Sequence, residues 1–154
     1  MSVYFFDSSA LVKRYVSEVG TVWVANITDI ATGNRIHIVR ITGVEVISAI
    51  TRRARGKSIS IASAAAAIAL FQHDFFSNYV ATEVTSSLVG VAMRLAERYA
   101  LRGYDAIQLA AALDVDAYWV SLGMPGLMLV SADSDLNAAA MAEGLNIDDP
   151  KAHP

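Results

Sequence analysis

The sequence has 154 residues, no cysteine and a net charge of -3 from 12 basic and 15 acidic residues. That length suits one domain able to bury roughly two-thirds of its unfolded surface. The lack of cysteine excludes thiolate nucleophiles, Cys-ligated zinc and disulfide cross-links, so any chemistry must use oxygen or nitrogen groups and a reducing compartment is compatible.

The apolar start, Met1 to Phe6, has neither the basic flank nor the length of a signal peptide, because Asp7 interrupts it. A cytoplasmic protein is the expectation. Val3 to Phe6 reads as a buried strand, and Ser8 to Val19 as a helix ending at Gly20. Thr21 to Ile30 is a second predicted helix and Ile36 to Val39 a second strand. In the helix predicted over Thr42 to Ala54, Val44, Ile47 and Ile50 recur every three residues, Thr42 and Glu45 fit a capping box, and Gly56 follows.

Ser58 to Phe76 is helical and rich in alanine. Its apolar run, Ile59 to Phe71, is too short for the roughly 20 residues that span a bilayer. Ile59, Ile61, Ile68, Leu70 and Phe71 exceed what a small core plainly requires, so some are expected to face a partner while ordinary core packing takes most of them. Tyr79 to Val84 is a third strand, Ser87 to Ala100 a helix, and Tyr104 to Leu122 a long helix. Leu127 to Val130 is a strand, Ser134 to Glu143 a helix, and Leu145 to Ile147 the last strand. No linker or repeat divides the chain, which gives one domain over residues 1–149 and a short tail over 150–154.

Strands alternating with helices imply a three-layer α/β/α domain around a mainly parallel sheet. Ligands of such sheets bind at the carboxyl edge of the strands. Asp7 follows the first strand, Asp133 follows a late one, and Glu45 lies in the first turn of a helix that returns from the second strand. Asp105 opens the long helix but follows another helix, so topology alone does not locate it.

Each acid by itself is well explained as a helix-start residue that accepts free backbone N–H groups. Brought to one edge they repel, at about 3 kcal/mol per ionised pair for about 5 Å and an effective dielectric of 20. A cation removes that cost. All-oxygen donors favour Mg2+ or Mn2+ over zinc, and His37, His73 and His153 are not spaced as a metal motif. Ser8, Ser9 and Ser131 flank the acids as caps or as groups that orient a ligand or water. Asp135, near Asp133, reads either as a solvent-facing helix-start residue, the better explanation, or as an extra or substitute ligand.

Arg52, Arg53, Arg55 and Lys57 form a basic cluster that reads either as a helix C-terminus complemented by cations or as phosphate contacts. Arg14 joins them as an RNA-binding candidate.

The run Tyr4-Phe5-Phe6-Asp7-Ser8-Ser9-Ala10-Leu11-Val12-Lys13-Arg14-Tyr15 resembles the start of PIN-domain proteins, especially the VapC toxins of bacterial toxin–antitoxin pairs. Val44-Glu45-Val46-Ile47-Ser48-Ala49-Ile50 is similar to the second acidic motif, Gly103-Tyr104-Asp105-Ala106-Ile107-Gln108 to the third, and Val130-Ser131-Ala132-Asp133 with Leu136 to the fourth. Gln108 stands where many relatives carry histidine, and Ser131 where threonine is common.

The resemblance implies a PIN-like α/β fold and a metal-dependent endoribonuclease with Asp7, Glu45, Asp105 and Asp133 as catalytic, metal-holding residues. It also implies homodimerisation and neutralisation by a cognate antitoxin protein, and it supplies the position of Asp105. The competing expectations are a catalytically silent interaction module of the same fold, a DNA-directed nuclease with the same metal site and, well behind, a phosphoryl-accepting α/β domain.

Overall fold

A computed structural model describes all 154 residues. Five strands, β1 (Val3–Phe6), β2 (Arg35–Val39), β3 (Tyr79–Thr82), β4 (Met128–Val130) and β5 (Asn146–Asp148), form one sheet in the order β3-β2-β1-β4-β5. Every pairing is parallel. The helices are α1 (Ser8–Leu11), α2 (Thr21–Ile27), α3 (Thr42–Arg55), α4 (Ile61–Ser77), α5 (Ser86–Tyr99), α6 (Gly103–Ser121) and α7 (Ser134–Ala142).

Strand alternation divides the apolar residues between two cores, as the two-residue period of a strand requires. Phe5, Val39 and Leu129 point into a core closed by α5, α6 and α7. Phe6, Ile36, Ile38 and Val130 point into a second core with α3, α4 and the segment after β1. The sheet is thus covered on both faces, in the three-layer arrangement expected. No helix is long and apolar enough to cross a membrane.

The predicted helix over Ser8 to Val19 is much shorter than expected. After α1 a 3-10 turn covers Val12–Arg14, and no helix resumes before α2. Long-range bonds outweigh local propensity here: Arg14 Nε and the Tyr15 hydroxyl both donate to Asp74 on α4, at 3.1 and 2.7 Å. Gly20 then takes φ +91°, and a Cβ there would meet the Pro150 carbonyl. Residues 150–152 form a 3-10 turn, Pro150 is buried, and His153 stacks on Trp23 with ring centroids 4.1 Å apart.

Other boundaries shift less. α2 stops at Ile27, where the Thr28 hydroxyl bonds back to the Val24 carbonyl at 2.7 Å. β3 stops at Thr82; Glu83 pairs with Arg40, and Thr85 caps α5 by accepting the Leu88 N–H at 3.1 Å. The predicted capping box does not form. Ile41 occupies the N-cap of α3 with no side-chain bond, while Thr42 and Glu45 both accept from the Gln108 amide on α6.

Candidate metal centre

β1 is the point at which the strand order reverses. The chain runs outward on one side through β2 and β3, then returns to the other side as β4. The crevice beyond the carboxyl ends of β1 and β4 is where ligands bind in folds of this kind. Asp7 leaves β1 into it, its backbone N–H donating to the Val130 carbonyl of β4 at 3.2 Å.

Asp7 is only 2 % exposed. As the N-cap of α1 its carboxylate accepts the Ala10 N–H at 3.1 Å and the Ser9 hydroxyl at 2.8 and 2.9 Å. Burial still dominates: its pKa is pushed up to about 7, with the charge of Asp105 adding to the rise and these hydrogen bonds opposing it. Ser9 Oγ in turn accepts the Ala132 N–H at 3.0 Å, which fastens the loop after β4 to the start of α1.

On that second loop Asp133 caps α7, accepting the Leu136 N–H at 2.9 Å, and its own N–H donates to Ser131 Oγ at 3.1 Å. Asn137 Nδ2 donates to the Ser131 carbonyl at 2.9 Å and holds the loop from below. Ser8 Oγ donates to one Glu45 oxygen at 3.1 Å, and Gln108 Nε2 donates to the other at 2.8 Å and to Thr42 Oγ1 at 3.0 Å. Burial, and then Asp105, raise the pKa of Glu45.

α5 and α6 pack as a hairpin, and Ala100 in left-handed conformation (φ 52°) turns the chain so that α6 begins at this edge. Asp105 therefore sits in the first turn of α6, its pKa raised by burial and by Asp133 and opposed by Arg102. The four predicted acids thus share one network of bonds and mutual repulsion. Asp135 is exposed on the first turn of α7 and adds a weaker push on Asp105.

No three His, Asp or Glu side chains stand close enough to clasp an ion as they are. Arg102 lies against both Asp105 and Asp133 instead. The donor chemistry nevertheless fits a hard divalent cation: the four carboxylates supply oxygen only, Asp7 is held out of water, and each of Asp7, Glu45 and Asp105 is disfavoured as an anion until a positive charge arrives. The histidines take no part. His37 accepts from Trp119 at 3.1 Å, His153 pairs with Asp148, and His73 lies exposed on α4.

A cleft of about 660 Å³ is lined by Ser8, Ser9 and Glu45 of the acidic edge and by Lys13, Arg52, Arg53 and Lys151, with Glu18 among these cations. Of the predicted basic residues, Arg52 faces this cleft and Arg55 a neighbouring groove along α3. Arg53 reaches the cleft but is paired with Glu18, which also holds Lys13. Lys57 is exposed just past the end of α3.

The structure gives Arg14 a different task from phosphate contact. Its guanidinium is committed to Asp74 and to Thr28 Oγ1, at 3.1 and 2.9 Å. Sequence reasoning missed Lys13, Lys151 and Arg102. Only Arg102 carried a local signal, its spacing of three residues before Asp105 on one helix end.

None of the known protein-family models matches the chain. It is 31 % identical over 150 residues to Ribonuclease VapC45 of Mycobacterium tuberculosis strain CDC 1551 / Oshkosh, a match covering 96 % of this chain and 95 % of that protein. Ribonuclease VapC49 of M. tuberculosis strain ATCC 25618 / H37Rv gives the same identity and coverage. Among solved structures, PAE2754 from Pyrobaculum aerophilum superposes with a TM-score of 0.60 at 20 % identity, covering 98 % of this chain and 91 % of that one. VapBC2 from Rickettsia felis, bound to a DNA fragment from their promoter, gives a TM-score of 0.58 at 13 % identity, with 96 % and 98 % covered. Those two likenesses concern the fold; the sequence relationship to the two ribonucleases, over nearly the whole of both chains, shows that this chain belongs to the VapC family of PIN-like α/β proteins.

Proposed function

We propose that this chain is a divalent-metal-dependent endoribonuclease and the toxin of a toxin–antitoxin pair. The observation that carries the reading is Asp7, a carboxylate buried at the switch point of the sheet and within the field of Asp105, which in turn acts on Glu45 and feels Asp133. A structural cap does not need that arrangement, since an exposed aspartate caps a helix equally well. Kinship with proteins named as ribonucleases supports RNA as the substrate.

Asp7, Glu45, Asp105 and Asp133 are the residues that would hold Mg2+ or Mn2+. The ion would supply a water of lowered pKa and neutralise charge on the phosphodiester under attack. The chain's own part is positioning. Ser9 and the Ala10 N–H fix Asp7, Ser8 and Gln108 fix both oxygens of Glu45, and the Leu136 N–H fixes Asp133. The cleft lined by Glu45, Arg52 and Lys151 offers a path for a phosphate backbone, in which Arg52 and Lys151 neutralise phosphates.

The same reading makes the protein cytoplasmic, dimeric and paired with an antitoxin protein. Exposed apolar side chains support partner surfaces: Ile61 is 82 % and Phe76 79 % exposed on α4, while Phe71 between them is buried.

The test incubates purified, antitoxin-free protein with total RNA, and with DNA of matched sequence, in Mg2+, in Mn2+ and in EDTA. An Asp105→Asn variant with an unchanged circular dichroism spectrum runs alongside. Defined RNA fragments that require both metal and Asp105 are the expected result. Cleavage of DNA alone would redirect the reading to a DNA nuclease, and no cleavage of either would leave a protein-interaction module.

A further inference from the structure

Arg102 occupies the N-cap position of α6 with extended backbone (φ -62°, ψ 151°), yet its side chain makes no capping bond. The guanidinium reaches outward over the acidic edge. Nη2 lies 3.2 Å from Asp133 Oδ2 and Nε 3.5 Å from Asp105 Oδ2, one planar group spanning carboxylates that start two different helices. The two carboxylates are largely covered, whereas the Arg102 side chain is 80 % exposed.

Three other cations near the site are held by buried or shared carboxylates. Arg14 is held by Asp74 and Thr28 with its guanidinium near the Tyr15 ring, and Lys13 and Arg53 share Glu18. Arg102 has only the two acids as partners. An ion pair that exposed is weakly held, because water competes for both ends and the long side chain loses freedom in making it.

We propose that Arg102 is a built-in, displaceable counter-cation: in the metal-free protein its guanidinium bridges Asp105 and Asp133, and an incoming divalent ion displaces it toward solvent. The inference rests on the metal reading of the site given above. Its consequence is a pair of effects with opposite signs. Arg102 supports the metal-free fold by separating two repelling carboxylates, and it lowers affinity for the ion because it competes for the same oxygens. A residue with a purely structural role would, when removed, weaken both.

The experiment titrates Mn2+ into metal-free wild-type protein and the variants Arg102→Ala, Arg102→Lys and Asp105→Asn, following free Mn2+ by electron paramagnetic resonance. Thermal melts are recorded with EDTA and with saturating Mn2+. Arg102→Ala should bind Mn2+ about threefold more tightly, about 0.7 kcal/mol, while melting lower than wild type in EDTA. Arg102→Lys, which keeps the charge, should stay near wild type, and Asp105→Asn should bind weakly.

If Arg102→Ala binds Mn2+ no more tightly than wild type while Asp105→Asn still loses affinity, the counter-cation role is wrong and the metal site stands. If wild type and Arg102→Ala both fail to bind Mn2+, the metal reading and the inference fall together.

Discussion

Replacing Asp7 with asparagine should stabilise the metal-free protein, and by an amount that depends on pH. The Asp7 carboxyl rises from an ordinary 3.8 to about 7 in the fold, chiefly because burial penalises its charge. That rise corresponds to about 4 kcal/mol at about 1.4 kcal/mol per pH unit. Below pH 3.8 the group is protonated in the folded and unfolded chains alike and carries no penalty. Between there and about 7 the unfolded chain ionises while the folded one resists, so the native state loses stability as pH rises. Above about 7 both are ionised and the full penalty stands.

Asparagine removes the charge and keeps an oxygen for the Ala10 N–H and the Ser9 hydroxyl. The amide nitrogen replaces the oxygen that took the second Ser9 contact, at 2.9 Å, and that loss offsets about 1 kcal/mol of the gain. Urea unfolding in EDTA should therefore find Asp7→Asn about 3 kcal/mol more stable than wild type at pH 8, and no more stable near pH 4. Saturating Mg2+ should narrow the difference at pH 8, because the ion binds the folded wild type and not the variant. Equal stability of the two proteins in EDTA at pH 8 would refute the argument that Asp7 is a buried, destabilising anion.

Asp74 is the opposite case. Burial works against its charge, but bonds from Tyr15, Arg14 and Asn78 outweigh it and hold its pKa below the usual carboxylate value. Its contribution is therefore present at neutral pH and lost as pH falls through that lowered value. Asp74→Ala leaves Arg14 without its carboxylate and should cost about 3 kcal/mol at pH 7 by urea unfolding, with no change in Mn2+ affinity. For the cleft, Arg52→Glu should weaken RNA binding and reduce the slope of log affinity against log salt by about 1, while Lys57→Glu, beyond the helix end, should leave the slope unchanged. Filter binding across a salt series reads both.

The strands and the longer helices were legible because their signals are local. Phe5 and Phe6 alternate between the cores, and Gly56 marks the end of α3 as expected. Asp7 and Asp133 could be located because a residue just past a parallel strand has only one edge to occupy. What the sequence concealed depends on partners far along the chain. The predicted helix tightens to a 3-10 turn and stops at Arg14 and Tyr15, which bond to Asp74 about sixty residues on. The Thr42–Glu45 pair has the spacing of a capping box, but both residues are taken by Gln108. Asp105 needed the left-handed turn at Ala100 to reach the edge, and Arg102 shows its role only once Asp133, 31 residues later, is beside it.

The four carboxylates are held by two kinds of donor, and the difference bears on how the site works. Asp7 and Glu45 are fixed by neutral groups: Ser8, Ser9, the Ala10 N–H and the Gln108 amide. Hydrogen bonds from neutral donors orient a carboxylate but leave its net charge in place, so for this pair burial remains the largest effect, the hydrogen bonds oppose it, and the field of Asp105 adds a smaller push upward. Asp105 and Asp133 share a guanidinium, which orients both and offsets part of their charge. Gln108 sharpens the contrast. Both its bonds come from Nε2, while its Oε1 is buried without a donor, so the amide is committed to Glu45 and Thr42 at the expense of its own carbonyl. A protonated histidine at this position would add positive charge to Glu45 as pH falls; a glutamine does not. Arg102 nevertheless fails to overcome burial and Asp133 at Asp105, so the uncompensated charge lies on Asp7, Glu45 and Asp105 together, the acids that a divalent ion would relieve most.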